Sequence, residues 1–210
     1  MSSRIIPLLS LWLALALPGP VLASDARALV ERASADPQLH ASLAESGKKA
    51  AAFCMNCHGE TGNSTLPDVP NLAGQHPAYV LDQIEAFLAG RRKNDFMQGL
   101  MKVLSEEEKA TIALFFASAE PVPAVAQAGP KARDGAAHFT ELCARCHRAD
   151  AGGEASFPRL AGQQPEYLRL SLKRYLDMSG ERLYPPMTGA VRTLGADRID
   201  AVVDYLSSMH

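Results

Sequence analysis

The chain has 210 residues, 47% of them hydrophobic, which is enough to bury one or two cores. With a net charge of −2 and a pI near 6.3, nothing suggests nucleic acid as a partner.

The N-terminal segment "MSSRIIPLLSLWLALALPGPVLAS" carries one basic residue, Arg4, then an apolar run from Ile5 to Leu17. It ends in Val21-Leu22-Ala23, a small-residue cleavage site. That pattern predicts a secretory signal peptide over 1–23 and a mature chain from Ser24. The apolar run is shorter than the roughly 20 residues of a spanning helix. The mature chain is therefore expected to be soluble and exported, with no transmembrane segment; peripheral membrane association stays open. Residues 24–46 read as an N-terminal helical extension that Pro37 breaks or redirects.

A first domain is expected over 47–118. "GKKAAAFC" forms a short helix of small residues leading into Cys54-Met55-Asn56-Cys57-His58. A second helix starts at Pro77, suited to a first helical position, and stops near Gly90. A third opens at Ser105 with Glu108 as its capping-box partner, and Ile112, Phe115 and Phe116 form its apolar face. The Pro- and Ala-rich stretch 119–134 reads as a linker. A second domain, 135–210, repeats the first. "VPNLAGQHPAYV" (69–80) recurs as "FPRLAGQQPEYL" (157–168), and Cys143-Ala144-Arg145-Cys146-His147 matches the earlier motif. A helix from Pro165 to near Gly180 follows, then one carrying Ile199, Val202, Val203 and Leu206 on one face. No convincing strand is found. The fold class is all-α, in two tandem halves.

Every cysteine lies in a C-x-x-C pair, and every pair is followed directly by histidine. Two small disulfide loops would suit an exported protein, but a disulfide has no use for the histidines. Zinc is a poor fit, because paired C-x-x-C ligands usually lie about 15–20 residues apart and these begin at 54 and 143. Two haems c account for all four thiols and both imidazoles: Cys54, Cys57, Cys143 and Cys146 bond the vinyl groups, and His58 and His147 ligate iron. Each haem would also fill a domain that is small for a self-supporting core.

The second axial ligand decides between binding chemistry and electron transfer. Met97 lies seven residues before Leu104 and Met187 seven before Leu194. No other methionines coincide once the halves are aligned, so Met97 and Met187 are the expected iron ligands. Met101 aligns with Val191, and Met178 is expected to pack against a helix. Pro70 and Pro158 follow their histidines at equivalent places, so their carbonyls are candidate acceptors for the other ring nitrogen; a simple turn explains them equally. Tyr79 and Tyr167 also coincide, as partners of haem propionates or as packing. Arg91 and Arg92 are further propionate candidates, with one of the two expected to be solvated. His76 faces Gln164 in the alignment and is not required by the shared site. His40, His138 and His210 have no matching partner and are expected to be exposed.

The two C-x-x-C-H motifs, the "P-x-L-A-G-Q" segments and a methionine before a capped C-terminal helix resemble the di-haem cytochrome c4 family over about 47–208. The resemblance implies two class I cytochrome c domains related by a pseudo-twofold, with haem propionate edges facing one another. It implies a non-enzymatic, periplasmic carrier of single electrons between redox proteins, towards a terminal oxidase or reductase. Gly195, where the family has a capping Ser, and the long residues 25–46 depart from it. The alternative is a di-haem electron-accepting subunit of a dehydrogenase, such as a sulfide-oxidising flavocytochrome. Enzyme readings fit less well: a thiosulfate-oxidising cytochrome needs an unusual ligand such as Cys, and none is spare. A di-haem peroxidase needs an open iron.

Overall fold

Aspartates open the first two helices. In the computed structural model, which describes residues 25–125 and 127–210, Asp25 caps α1 (Ala26–Ala35) by accepting from the Arg27 amide. The expected signal peptide lies outside the described residues. Asp36 caps α2 (Pro37–Ala50), accepting from the amides of Gln38 and Leu39, and Pro37 occupies its first turn. Pro37 therefore ends one helix and starts the next.

The expected boundary between an extension ending at 46 and a domain starting at 47 falls inside α2, which crosses it unbroken. Nor is α1 an appendage. Its Ala26, Leu29, Val30 and Ala33 share one buried cluster with Val80, Leu81, Ile84, Phe87 and Leu114. Arg27 reinforces that packing with hydrogen bonds to Asp82 (2.6 Å) and Glu85 (3.0 Å).

The first half continues with α3 (Met55–His58), α4 (Pro77–Leu88), α5 (Asp95–Val103) and α6 (Glu106–Ala117). The second half has α7 (Ala132–Leu142), α8 (Ala144–His147), α9 (Pro165–Leu176), α10 (Pro185–Leu194) and α11 (Ile199–Leu206). Helix α7 thus begins inside the expected 119–134 linker. The rest of that linker is extended and tied down: Val122 donates to Asn63 Oδ1 (2.8 Å) and Ala124 to the Gly162 carbonyl (3.0 Å). Among the described residues, β-structure amounts to two isolated bridges.

One crossing organises each half. Helix α2 packs on α6 at Gly47, and α7 packs on α11 at Gly135. A Cβ at Gly47 would collide with the Thr111 carbonyl, and one at Gly135 with that of Ala201. Glycine is needed there because backbone meets backbone. The two terminal helices differ in how they start. Ser105 and Glu108 form the complete capping box that opens α6. Gly195 offers no side chain, and the chain passes through a 3₁₀ turn (Ala196–Arg198) before α11 begins at Ile199.

Candidate metal centres at the two cysteine–histidine turns

Helices α3 and α8 are single turns that hold the two motifs. The His58 amide donates to the Cys54 carbonyl and the His147 amide to that of Cys143, each at 3.0 Å. One helical turn thus sets each pair of cysteines on the same side of the backbone. None of the four cysteines is in a disulfide; Cys54 and Cys143 are half-buried, whereas Cys57 and Cys146 are exposed. Burial pushes the Cys54 thiol up and the Cys143 thiol up to about 11. Such surroundings disfavour a thiolate cluster, and among the described residues no three His, Cys, Asp or Glu side chains gather to hold a metal. A metal here has to bring most of its ligand set with it, as a porphyrin does.

Both histidines are buried and held by one side only. His58 Nδ1 donates to the Pro70 carbonyl at 2.9 Å, and His147 Nδ1 to the Pro158 carbonyl at 3.1 Å. The same bond at equivalent positions in both halves favours a role over a simple turn. It fixes the tautomer and leaves each Nε2 with its lone pair free. Burial also pulls both imidazole pKa values down, which keeps that lone pair unprotonated.

Met97 lies on α5 and Met187 on α10, both half-buried and outside hydrogen-bonding contact with the histidine of their half. Asn94 caps α5 by accepting from the Met97 amide at 3.0 Å. The rings of Phe53 and Phe96, neighbours of Cys54 and Met97 in the chain, lie 6.4 Å apart. That contact brings the first motif and α5 close together. Met101 is buried in the core of the first half. Met178, expected to pack, is instead exposed in a left-handed turn (φ 48°) just past the end of α9. His40 and His138 are half-buried, not exposed, and His40 Nε2 lies 2.9 Å from Ser118 Oγ.

Between the halves, Arg92 and Arg182 pair through an antiparallel bridge, with Lys93 donating to the Glu181 carbonyl and Leu183 to that of Arg91. Arg91 is exposed and Arg92 half-buried, as expected of the pair. Arg182 donates to the hydroxyls of Tyr175 (2.7 Å), Tyr79 (2.9 Å) and Tyr167 (3.0 Å). Arg92 donates to Tyr167 (3.1 Å) and Gln83 (2.9 Å). Among the described residues, neither guanidinium has a carboxylate partner. Burial raises the pKa of the Tyr167 phenol, but Arg182 and Arg92 outweigh it and draw the group down to about 7. Burial takes the Tyr79 phenol up to about 12. Two partly buried cations without anions are a fitting seat for haem propionates.

The sequence model of the cytochrome c family matches residues 44–120 and again 132–210. Cytochrome c4 of Pseudomonas aeruginosa is 34% identical over 181 residues, covering 80% of this chain and 89% of that protein. The chain belongs to the di-haem cytochrome c4 family. The crystal structure of reduced cytochrome c4 from Pseudomonas stutzeri superposes with a TM-score of 0.72 at 31% identity, covering 80% of this chain and 98% of that one. A thiosulfate dehydrogenase electron acceptor of Thiomonas intermedia is 31% identical over 172 residues, covering 75% of this chain and 79% of that protein. As a family member the chain is an electron-transfer cytochrome with two covalently bound haems c, one on Cys54 and Cys57 and one on Cys143 and Cys146. The haems supply one-electron redox chemistry at iron. The polypeptide supplies attachment through the cysteines, and His58, His147, Arg92 and Arg182 are the residues that would orient the imidazoles and meet the propionates.

Arg182, Gly47 and Gly135 escaped the sequence reading. Aligning the two arginine-bearing turns would have paired Arg182 with Arg92. His76 proved to be an interface residue: its Nε2 donates to the Gly152 carbonyl (2.8 Å), as Gln164 Nε2 does to that of Ser64 (2.6 Å).

Proposed function

We propose that the protein is an exported, periplasmic carrier of single electrons between respiratory redox proteins, with His58 and Met97 ligating one iron and His147 and Met187 the other. The observation that carries this reading is the repeated Nδ1–carbonyl bond, which leaves one free, unprotonated imidazole nitrogen per domain beside each cysteine pair. Met97 and Met187 complete the two sites because they coincide in the repeat, while Met101 packs in the core. Each iron then cycles between ferrous and ferric with both axial positions filled, and neither offers a seat to a substrate. The signal-like N-terminus supports export.

The test is a reductive titration of the holoprotein. The oxidised protein should show a methionine–iron charge-transfer band on each haem, which bleaches as the chain takes up two electrons. Loss of that band on neither haem after both Met97→Leu and Met187→Leu would overturn the ligation.

The likeness to a thiosulfate dehydrogenase electron acceptor favours a second reading, in which the chain accepts electrons from such a dehydrogenase. Mixing oxidised holoprotein with a thiosulfate dehydrogenase and thiosulfate separates the two. Reduction within the dehydrogenase's turnover time supports the acceptor reading, and reduction no faster than without the dehydrogenase rejects it.

A further inference from the structure

The repeated "LAGQ" segments end in Gln75 and Gln163, and both side chains, each 5% exposed, reach into the opposite domain. Gln163 Oε1 accepts from the Asn71 amide at 2.7 Å, and its Nε2 donates to the Asn71 carbonyl at 3.0 Å. Gln75 treats Arg159 the same way: Oε1 accepts from the amide at 2.9 Å and Nε2 donates to the carbonyl at 3.1 Å. The position of the clamped amides matters most. The Asn71 N–H belongs to the same peptide group as the Pro70 carbonyl, which accepts from His58. The Arg159 N–H likewise shares a peptide group with the Pro158 carbonyl, which accepts from His147. A peptide group is one planar, delocalised unit. Engaging its N–H polarises its C=O and makes that oxygen a better acceptor, as in any hydrogen-bonded chain.

We infer that Gln75 and Gln163 are positioning residues that act across the interface, each orienting and polarising the peptide that anchors the axial histidine of the other domain. The inference rests on His58 and His147 as iron ligands. Its direction follows from the imidazole. A stronger Nδ1–H bond makes the ring more basic, and a more basic ligand favours ferric iron. Gln163 therefore lowers the potential of the N-terminal haem, and Gln75 that of the C-terminal haem. Because both relays run through the interface, a small sliding of one domain against the other changes both irons together. A residue serving only as glue would disturb both domains alike when removed.

Nuclear magnetic resonance on the reduced holoprotein distinguishes these roles. The Nδ1–H resonances of His58 and His147 are assigned through their proximity to Pro70 and Pro158, and each reports its own iron through a redox titration. In Gln163→Leu the His58 resonance should shift and the N-terminal haem should titrate at a higher potential, while His147 and its haem stay put. Gln75→Leu should give the mirror image. Gln163→Glu, which keeps an oxygen facing the Asn71 amide, should not reproduce the rise in potential seen with Gln163→Leu. Shifts confined to the mutated domain, equal shifts in both, or none would overturn the inference. If the leucine variants do not fold, Gln163→Asn and Gln75→Asn, one methylene too short to reach, carry the same test. A histidine Nδ1–H without the ring-current shift of a bound porphyrin would count against the ligation, not the relay.

Discussion

At the scale of the residue, the site depends on which of two methionines one helical turn apart meets the iron. Met97 is half-buried at the first turn of α5, whereas Met101 is buried among Val80, Leu81 and Ile84. Met97→His and Met187→His should each lower the potential of one haem and spare the other, because a nitrogen donor favours ferric iron over a thioether. Met101→Leu should leave the iron–sulfur band intact and cost at most about 1.5 kcal/mol. Loss of that band in Met101→Leu but not in Met97→Leu would move the ligand by one turn. Tyr167 is the other residue whose chemistry is unusual. Its folded pKa of about 7 lies below the roughly 10 of an unfolded tyrosine. A depressed pKa means stabilisation that is complete above about pH 10 and is lost as pH falls to about 7. Propionates sharing Arg92 and Arg182 would move the lower edge of that window upward. Thermal denaturation of the holoprotein and of Tyr167→Phe should therefore diverge as pH rises from 7 to 10. Parallel curves would show that the phenol stays protonated.

At the scale of the element, the helix ends were legible because local chemistry writes them: Pro37, Pro77 and Pro165 in first turns, and Ser105 with Glu108. The cysteine–histidine turns were legible for the same reason. What a helix packs against is not local. Leu29 and Val30 give α1 an apolar face, but nothing in residues 25–46 says that α4 and α6 cover it. Gly47 and Gly135 look like poor helix formers in the sequence, and only the crossing of two backbones explains them. The trans-acting glutamines lay in a quoted repeat, yet their partners stand near position 71 for one and 159 for the other, beyond any local pattern. The crossings give the prediction at this scale. Gly47→Ala should separate α2 from α6, and Gly135→Ala should separate α7 from α11. Each should lower the yield of haem-loaded chain and the melting temperature, whereas Gly99→Ala on α5, where a Cβ meets nothing, should be harmless or stabilising. Equal melting temperatures for the three variants would refute the role given to the crossings.

At the scale of the whole molecule, the two halves are alike in plan and unequal in detail, so their haems should be unequal carriers. Residues 24–119 carry nine basic and twelve acidic groups, and residues 120–210 carry eleven of each. Negative charge near iron favours the ferric state, although solvent screens much of it over about 10 Å. The N-terminal haem should thus have the lower potential, so that added electrons settle first in the C-terminal domain. With both axial positions filled as proposed, neither iron should react quickly with peroxide or carbon monoxide at neutral pH. A redox titration that resolves the two histidine resonances tests the order, and reduction of the N-terminal haem first would reverse it. Rapid peroxide turnover by intact protein with both methionine bands present would remove the carrier assignment itself, since it requires an iron that exchanges a ligand.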